Sequence, residues 1–121
     1  MGSGALVKRG SLVVVELPKT QTHEQAGRRP CVVVSSETSV ENARYDMIVV
    51  VPLTTTTLSG KLYPLIKKGD ANLKSDSVAL VDQIRSIDKK RVEQVGDRQF
   101  SQEAIDDIDS AIRYLLGYVQ F

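Results

Sequence analysis

Residue types that commonly bind metals or form disulfides are scarce in this sequence. Its 121 residues include one cysteine, Cys31, and one histidine, His23. A single cysteine excludes an intramolecular disulfide and a cysteine metal cluster, and a single histidine excludes a histidine-rich zinc site. We therefore expect no metal site, and we expect Cys31, which lies inside an apolar run, to be a small core residue.

Long hydrophobic runs are also missing. No apolar segment approaches the ~20 residues that a membrane helix needs, and the N-terminus lacks the charged-then-apolar layout of a signal peptide. Met1-Gly2-Ser3-Gly4 resembles an expression remnant and is not expected to belong to the fold. These absences predict a cytoplasmic protein that does not contact a membrane. The length predicts a single domain over residues 1–121.

The sequence has no excess of charge of one sign. Sixteen Lys and Arg residues are balanced by fifteen Asp and Glu residues, which leaves a formal net charge of +1. This balance excludes a uniformly basic surface of the kind that nucleic acid wraps. Bulk charge alone therefore gives no indication of a nucleic-acid partner.

Valine-rich runs are the main feature that is present. Valine is restricted at its first side-chain torsion and packs well on a pleated surface, so these runs predict β-strands. The most apolar runs predict strands that are buried on both faces or form a barrel wall. The predicted strands are Ser11–Leu17, Cys31–Ser35, Met47–Leu53, Tyr63–Ile66, Ser77–Val81, Ile84–Ile87 and Arg91–Val95.

The C-terminal part of the chain changes to a helical period. Ser101 is the predicted N-cap and Gly117 the predicted end of this helix, and a short helical turn is predicted around Ser39–Arg44. The predicted fold is α+β, a small antiparallel β barrel with a C-terminal amphipathic helix. The apolar stripe of that helix consists of Ile105, Ile108, Ile112, Leu115, Leu116 and Val119.

The densest polar cluster is the segment His23–Pro30, at the end of a long loop that runs from Pro18 to Arg29. Pro30 biases Arg29 towards an extended backbone, which projects its guanidinium in a fixed direction. The planar fork of a guanidinium suits a phosphate. A solvated loop with a surface Arg–Glu pair explains the same cluster equally well.

Two further polar positions stand beside predicted strands. Thr54 ends a buried strand, where its hydroxyl can donate to a phosphate oxygen, although threonine is also a common strand and turn residue. Gln83 offers a donor and an acceptor, which suits reading a base edge. Asp82 is more simply explained as a structural acid that accepts backbone donors or pairs with Arg85.

Four blocks of the chain occur in a characteristic order: EQxGxRP at 24–30, VVVS at 32–35, VVPLT at 50–54 and DQIRSIDKxR at 82–91. With the closing helix, they make the chain from about Arg9 to Phe121 resemble the MazF/PemK family, the toxins of bacterial type II toxin–antitoxin pairs. The resemblance implies an SH3-like barrel, related to that of CcdB toxins, and a homodimer. It further implies a metal-independent endoribonuclease without a cofactor, and a MazE-like antitoxin that covers the RNA groove.

The resemblance also implies roles for individual residues. The implied mechanism is attack of a 2′-OH of single-stranded RNA on the adjacent phosphate. It yields a 2′,3′-cyclic phosphate or 3′-phosphate and a 5′-OH end, and the cleavage inhibits translation and growth. The expected catalytic residues are Arg29, Thr54, Glu24 and His23, with either Glu24 or His23 as the base. The expected RNA-binding residues are Arg28, Gln25, Asn42, Thr55, Gln83 and Asp82.

Two alternatives keep a similar fold and change the function. A CcdB-like toxin poisons DNA gyrase by binding it, but such a toxin has no need of the EQxGxRP and VVPLT blocks. An inactivated SH3-like binding module is the other alternative. Such modules usually present an aromatic groove to proline-rich ligands, and 5% aromatic residues with no tryptophan make that groove hard to build.

Overall fold

The computed structural model describes residues 6–19 and 21–119. The suggested remnant at residues 1–4 and the end of the resemblance at Phe121 lie outside the described residues. The strands are β1 (Ser11–Leu17), β2 (Gly27–Val33), β3 (Met47–Thr54), β4 (Leu65–Ile66), β5 (Ser77–Ala79), β6 (Arg85–Asp88) and β7 (Val92–Gln99). The helices are α1 (Glu37–Glu41) and α2 (Gln102–Leu115), and 3₁₀ turns cover Asp70–Asn72, Val81–Gln83 and Lys89–Arg91.

All seven strands belong to one curled antiparallel sheet. Its order is β4-β5-β3-β2-β1-β7, and β6 pairs with the first half of β3. The described residues do not pair β4 with β7, so the sheet is a half-barrel with a helix packed on it. The predicted α+β class with a C-terminal helix is confirmed, and the barrel is open.

The sheet has two apolar faces, each with its own core. We call the face that packs against α2 the helix face; Val32, Val51 and Leu53 lie on it beside Ile108 of the helix. We call the other the inner face. Its buried residues are Val13, Val15, Leu17, Cys31, Val33, Val40, Ile48, Val50, Ile87, Val92 and Val95. Burial on both faces explains why the central strands are nearly continuous apolar runs.

Helix α2 begins at the predicted cap. The Ser101 hydroxyl accepts a hydrogen bond from the Ala104 amide at 3.2 Å. The helix ends at Leu115, and Gly117 follows with a φ of 83°, a left-handed conformation that glycine adopts without strain. The predicted apolar stripe is too long at this end. Leu116 is 59% exposed and Val119 lies beyond the helix.

Several element boundaries differ from the predicted ones because pairing partners, which local composition does not show, decide them. Strand β2 begins at Gly27 instead of Cys31, since its polar first residues pair with the end of β1. Strand β5 stops at Ala79, where a 3₁₀ turn follows. Strand β7 continues to Gln99, well past the predicted Val95, because it pairs along β1. The predicted turn at Ser39–Arg44 is the helix Glu37–Glu41, capped by Ser36.

Among the described residues, no helix has the length and the apolar character needed to cross a membrane.

Candidate functional site

Arg29 lies at one end of the inner face. Its partner across the β1–β2 ladder is Val15, whose side chain belongs to the inner core, and directly opposed residues share a face. The side chain is exposed, and its Nε donates to the carbonyl oxygen of Ala26 at 3.0 Å. This bond fixes the direction of the guanidinium while its terminal nitrogens have no bond to the described part of the chain.

Thr54 ends the neighbouring strand at the same place. The last β2–β3 pair is Cys31 with Pro52, so Arg29 and Thr54 each lie two residues beyond the paired part of these neighbouring strands, at the same end. Alternation from the inner-core residue Val50 turns Thr54 to the inner face as well. Its Oγ1 accepts from the Thr56 amide at 3.1 Å, which leaves the hydroxyl proton to donate. Thr55 follows, exposed to solvent.

The loop before β2 brings His23, Glu24 and Gln25 to this end of the sheet. The side chains of His23 and Glu24 are exposed. Gln83 and Arg85 hold the loop backbone: Gln83 Oε1 accepts from the Gln25 amide at 2.5 Å, and Arg85 Nη2 donates to the Gln25 carbonyl at 3.1 Å. The same Arg85 nitrogen lies 4.0 Å from Glu24 Oε2. The structure therefore gathers three of the predicted loop residues beside the predicted Gln83.

Gln25 contributes an acceptor that has no partner. Its side-chain Oε1 is buried and receives no hydrogen bond from the described residues. A buried acceptor left unsatisfied costs roughly 1–3 kcal/mol, so this oxygen is suited to a donor brought by a ligand.

The carboxylate of Asp82 accepts a hydrogen bond from a tyrosine. The Tyr63 hydroxyl donates to Asp82 Oδ2 at 2.6 Å. This hydrogen bond to the carboxylate keeps the phenol protonated and raises the pKa of Tyr63 above its ordinary value. The alternative pairing of Asp82 with Arg85 is wrong, because Arg85 contacts Gln25 and Glu24.

Two of the predicted RNA-binding residues lie elsewhere. Arg28 is next to Arg29 in a strand, so its side chain points to the opposite side of the sheet, where its Nε lies 2.6 Å from Glu93 Oε1. Asn42 follows α1, and its carbonyl oxygen accepts from Lys89 Nζ at 3.3 Å. The Lys89 amide donates to the carbonyl oxygen of Asp46, the residue before β3. Asn42 therefore lies near the opposite end of that strand from Thr54.

Arg85 was not among the predicted site residues. The predicted strand Ile84–Ile87 contains Arg85 but starts one residue too early. In the structure Ile87 lies in the inner core and Ile84 packs against the helix-face core, since the strand begins only at Arg85. Arg85 therefore shares the inner face with Ile87. The two-residue spacing between them is the signal that identifies it.

Within residues 6–19 and 21–119, no three His, Cys, Asp or Glu side chains come together as a metal-binding group.

Comparisons with known proteins match this arrangement to one family. Residues 8–116 match the family described as PemK-like, MazF-like toxin of type II toxin–antitoxin system. The chain is similar to a MazF structure from Deinococcus radiodurans, with a TM-score of 0.76 and 25% identity over 93% of this chain and 98% of that one.

Two more distant structures show the same fold. The first is an endoribonuclease with its cognate antitoxin from a mycobacterial species, with a TM-score of 0.75 and 20% identity over 95% of this chain and 99% of that one. The second is a MazE–MazF complex from Deinococcus radiodurans, with a TM-score of 0.73 and 22% identity over the same shares of the two chains.

Proposed function

Since the chain belongs to the family of PemK-like, MazF-like toxins of type II toxin–antitoxin systems, we propose that it is an endoribonuclease that cleaves single-stranded RNA. Similar folds include proteins described as endoribonucleases, one of them bound to its antitoxin. The cleavage inactivates messenger RNA, which inhibits translation and growth. A MazE-like antitoxin is the proposed partner that silences it, and the active form is a homodimer.

The placement of Arg29 and Thr54 is the observation that supports this function most directly. The two residues lie at the ends of neighbouring strands and face the same side of the sheet. A guanidinium and a hydroxyl at the same end of neighbouring strands, on one face of the sheet, are suited to donate to the oxygens of one phosphate. The buried acceptor of Gln25 lies in the adjacent loop, where it suits a hydroxyl or amine of the bound nucleotide.

The proposed reaction uses the RNA's own hydroxyl as the nucleophile. Glu24 or His23 removes the 2′-OH proton, since both types of side chain serve as bases near neutral pH. The O2′–P bond forms as the P–O5′ bond breaks, which yields a 2′,3′-cyclic phosphate. Arg29 donates a hydrogen bond to the leaving 5′-oxygen, which takes up a proton from solvent water to become the 5′-OH end. Arg29 and Thr54 stabilise the extra negative charge on the phosphate, as preorganised donors do at other active sites.

The test is cleavage of single-stranded RNA by variants of these residues. We expect Arg29→Ala and Thr54→Ala each to lower the cleavage rate roughly 100- to 1,000-fold, the usual cost of removing a preorganised donor. Both variants should keep the wild-type unfolding midpoint, because neither side chain lies in the core. Arg113, an exposed residue of α2, provides the control variant Arg113→Ala, which should cleave normally.

The products and the base are checked in the same assay. Products should carry 2′,3′-cyclic phosphate or 3′-phosphate ends, and EDTA should leave the rate unchanged. Of Glu24→Gln and His23→Gln, the variant that loses more activity identifies the base. An Arg29→Ala protein that cuts RNA near the wild-type rate would overturn the assignment. Intact RNA after incubation with the wild-type protein would overturn the proposed function.

A further inference from the structure

Gln83 holds the backbone on both sides of Glu24. Its side-chain oxygen accepts from the amide of Gln25 at 2.5 Å, and its side-chain nitrogen lies 3.5 Å from the carbonyl oxygen of His23. The first contact is short and the second is at the long limit for a hydrogen bond. One amide group therefore bridges the two residues that flank the exposed carboxylate of Glu24.

Arg85 holds the same stretch from the other side. Its Nη2 donates to the Gln25 carbonyl at 3.1 Å and lies 4.0 Å from Glu24 Oε2. The Arg85 side chain is only 19% exposed, against 60% for that of Glu24. A largely buried cation is stable only if acceptors surround it, so Arg85 and the loop need each other.

Both anchoring residues start from rigid parts of the fold. Gln83 closes a 3₁₀ turn, and the next residue, Ile84, packs against the helix-face core. Arg85 lies in β6 opposite Val50 of the central strand β3. In the loop that carries Glu24, the side chains of His23 and Glu24 are exposed, and the Glu24 amide makes a 3.5 Å contact with Thr22 Oγ1.

We propose that Gln83 and Arg85 are positioning residues, which act by fixing the backbone of His23–Gln25 over the inner face. This inference rests on the proposed ribonuclease activity and deepens it, because it assigns these two side chains to the loop instead of to the RNA. Fixing the loop sets the place of the Glu24 carboxylate and of the Gln25 amide relative to Arg29 and Thr54. If Gln83 instead contacts RNA, its side-chain amide must first break its contacts with the backbone of His23 and Gln25.

The first experiment measures the loop without any RNA. In Gln83→Leu, hydrogen exchange at the Gln25 amide should become at least about 10-fold faster than in the wild type, because its acceptor is gone. Gln83→Glu keeps the acceptor and should retain most of the protection. The matched control is Gln94→Leu on β7, an exposed glutamine away from the loop, which should leave the exchange rate unchanged. Unchanged protection in Gln83→Leu would overturn the proposal.

The second experiment separates positioning from RNA contact by steady-state kinetics. We expect Gln83→Leu and Arg85→Met to lower kcat on the order of 10- to 100-fold, a typical cost of a misplaced catalytic group, with KM changed less than about 3-fold. Arg85→Lys keeps one donor for the Gln25 carbonyl and should recover part of kcat. The control Arg113→Met should match the wild type, and unfolding midpoints should identify any variant that fails to fold.

The outcomes distinguish this inference from the function on which it rests. Raised KM with unchanged kcat and intact loop protection would make Gln83 an RNA-contacting residue and overturn the positioning role. A wild-type protein that cuts no RNA would overturn the ribonuclease function, while the exchange experiment would still decide whether Gln83 and Arg85 hold the loop.

Discussion

At the scale of single residues, alternation along strands decides which side chains can act together. Arg28 and Arg29 are adjacent in sequence, yet one is paired with Glu93 on one side of the sheet and the other faces the inner side. Cys31 lies two residues beyond Arg29 on that inner side, fully buried. On the inner face of β2, solvent exposure therefore changes within two residues, from the exposed guanidinium of Arg29 to the buried thiol of Cys31.

The buried thiol gives a prediction about reactivity. Burial raises the pKa of Cys31 from 9.0 to about 12, and the nearby charge of Arg85 lowers it by less. Because the thiolate is the reactive form, the native protein at pH 8 should react with a thiol reagent at least about 100-fold more slowly than the same protein in denaturant. The reaction rate of the folded protein with an absorbance-reporting disulfide reagent, measured with and without urea, checks this.

The raised pKa of Cys31 makes the free energy of unfolding decrease at alkaline pH. The folded protein holds the Cys31 proton more tightly than the unfolded chain, so this contribution to the free energy of unfolding is fully present below pH 9. It is lost progressively as the pH rises from 9 towards 12. The prediction is wrong if Cys31 reacts at the same rate in the native and the denatured protein, because the thiol is then exposed.

Single residues were predictable from the sequence where their chemistry is local. The extended backbone before Pro30 and the hydroxyl at the end of a buried strand made Arg29 and Thr54 separate candidates for phosphate contacts, and the family resemblance predicted that they share one site. Arg85 was missed because its place depends on where β6 begins, and pairing with β3 sets that point. The position of Asn42 depends on the path of the chain after α1, which its own neighbours in sequence do not reveal.

At the scale of elements, hydrogen bonds between Ser101 and Asp70 connect the start of α2 to the 3₁₀ turn Asp70–Asn72. Ser101 caps the helix through the Ala104 amide, while its own amide and hydroxyl both donate to the carboxylate of Asp70. The cap therefore fixes the 3₁₀ turn that contains Asp70 as well as the helix. Sequence alone identified Ser101, since a serine just before an apolar helical stripe is a common start signal, but the link to Asp70 is tertiary.

Removing this cap should destabilise the protein measurably. Ser101→Ala should lower the free energy of unfolding by about 1–2 kcal/mol, the range for N-cap serines. Ser110→Ala, at an exposed site in the middle of the same helix, is the matched control and should be neutral or slightly stabilising, since alanine has the higher helix propensity. Urea denaturation followed by circular dichroism measures both. Equal stabilities of the two variants would show that the cap contributes nothing.

Valine-rich strands were the elements most readily predicted, because burial on both faces leaves a continuous apolar run. Strand β1 has the predicted bounds, and β3 extends one residue further. The start of β2 was missed because Gly27–Arg29 reads as loop by composition and becomes strand by pairing with β1. The error matters for the site, since it is this early start that fixes which way Arg29 points.

At the scale of the whole molecule, the nearly cancelling charges leave room for a local cationic site. The exposed acids Glu103, Asp106 and Asp107 lie on the solvent side of α2. Asp109 on the same helix is paired with Arg9 at 2.5 Å. Arg29 and Arg85 lie on the inner face. A net charge of +1 is therefore compatible with a small cationic site on the side of the sheet away from α2.

The small size of this cationic site predicts a gentle dependence of RNA binding on salt. For single strands, log K falls with log salt by about 0.7 for each phosphate that the protein neutralises, so two or three contacts give a slope of about −1.4 to −2.1. Affinity should be measured with an RNA that carries a 2′-deoxy nucleotide at the cleaved position, which prevents the reaction. Arg29→Met should make the slope about 0.7 less steep, and Arg113→Met should leave it unchanged.

A slope near −4 would mean that more phosphates are bound than this end of the inner face can contact. The basic turn Lys89–Arg91, at the far end of β3, would then belong to the RNA-binding surface, and the small cationic site would be the wrong description of the molecule.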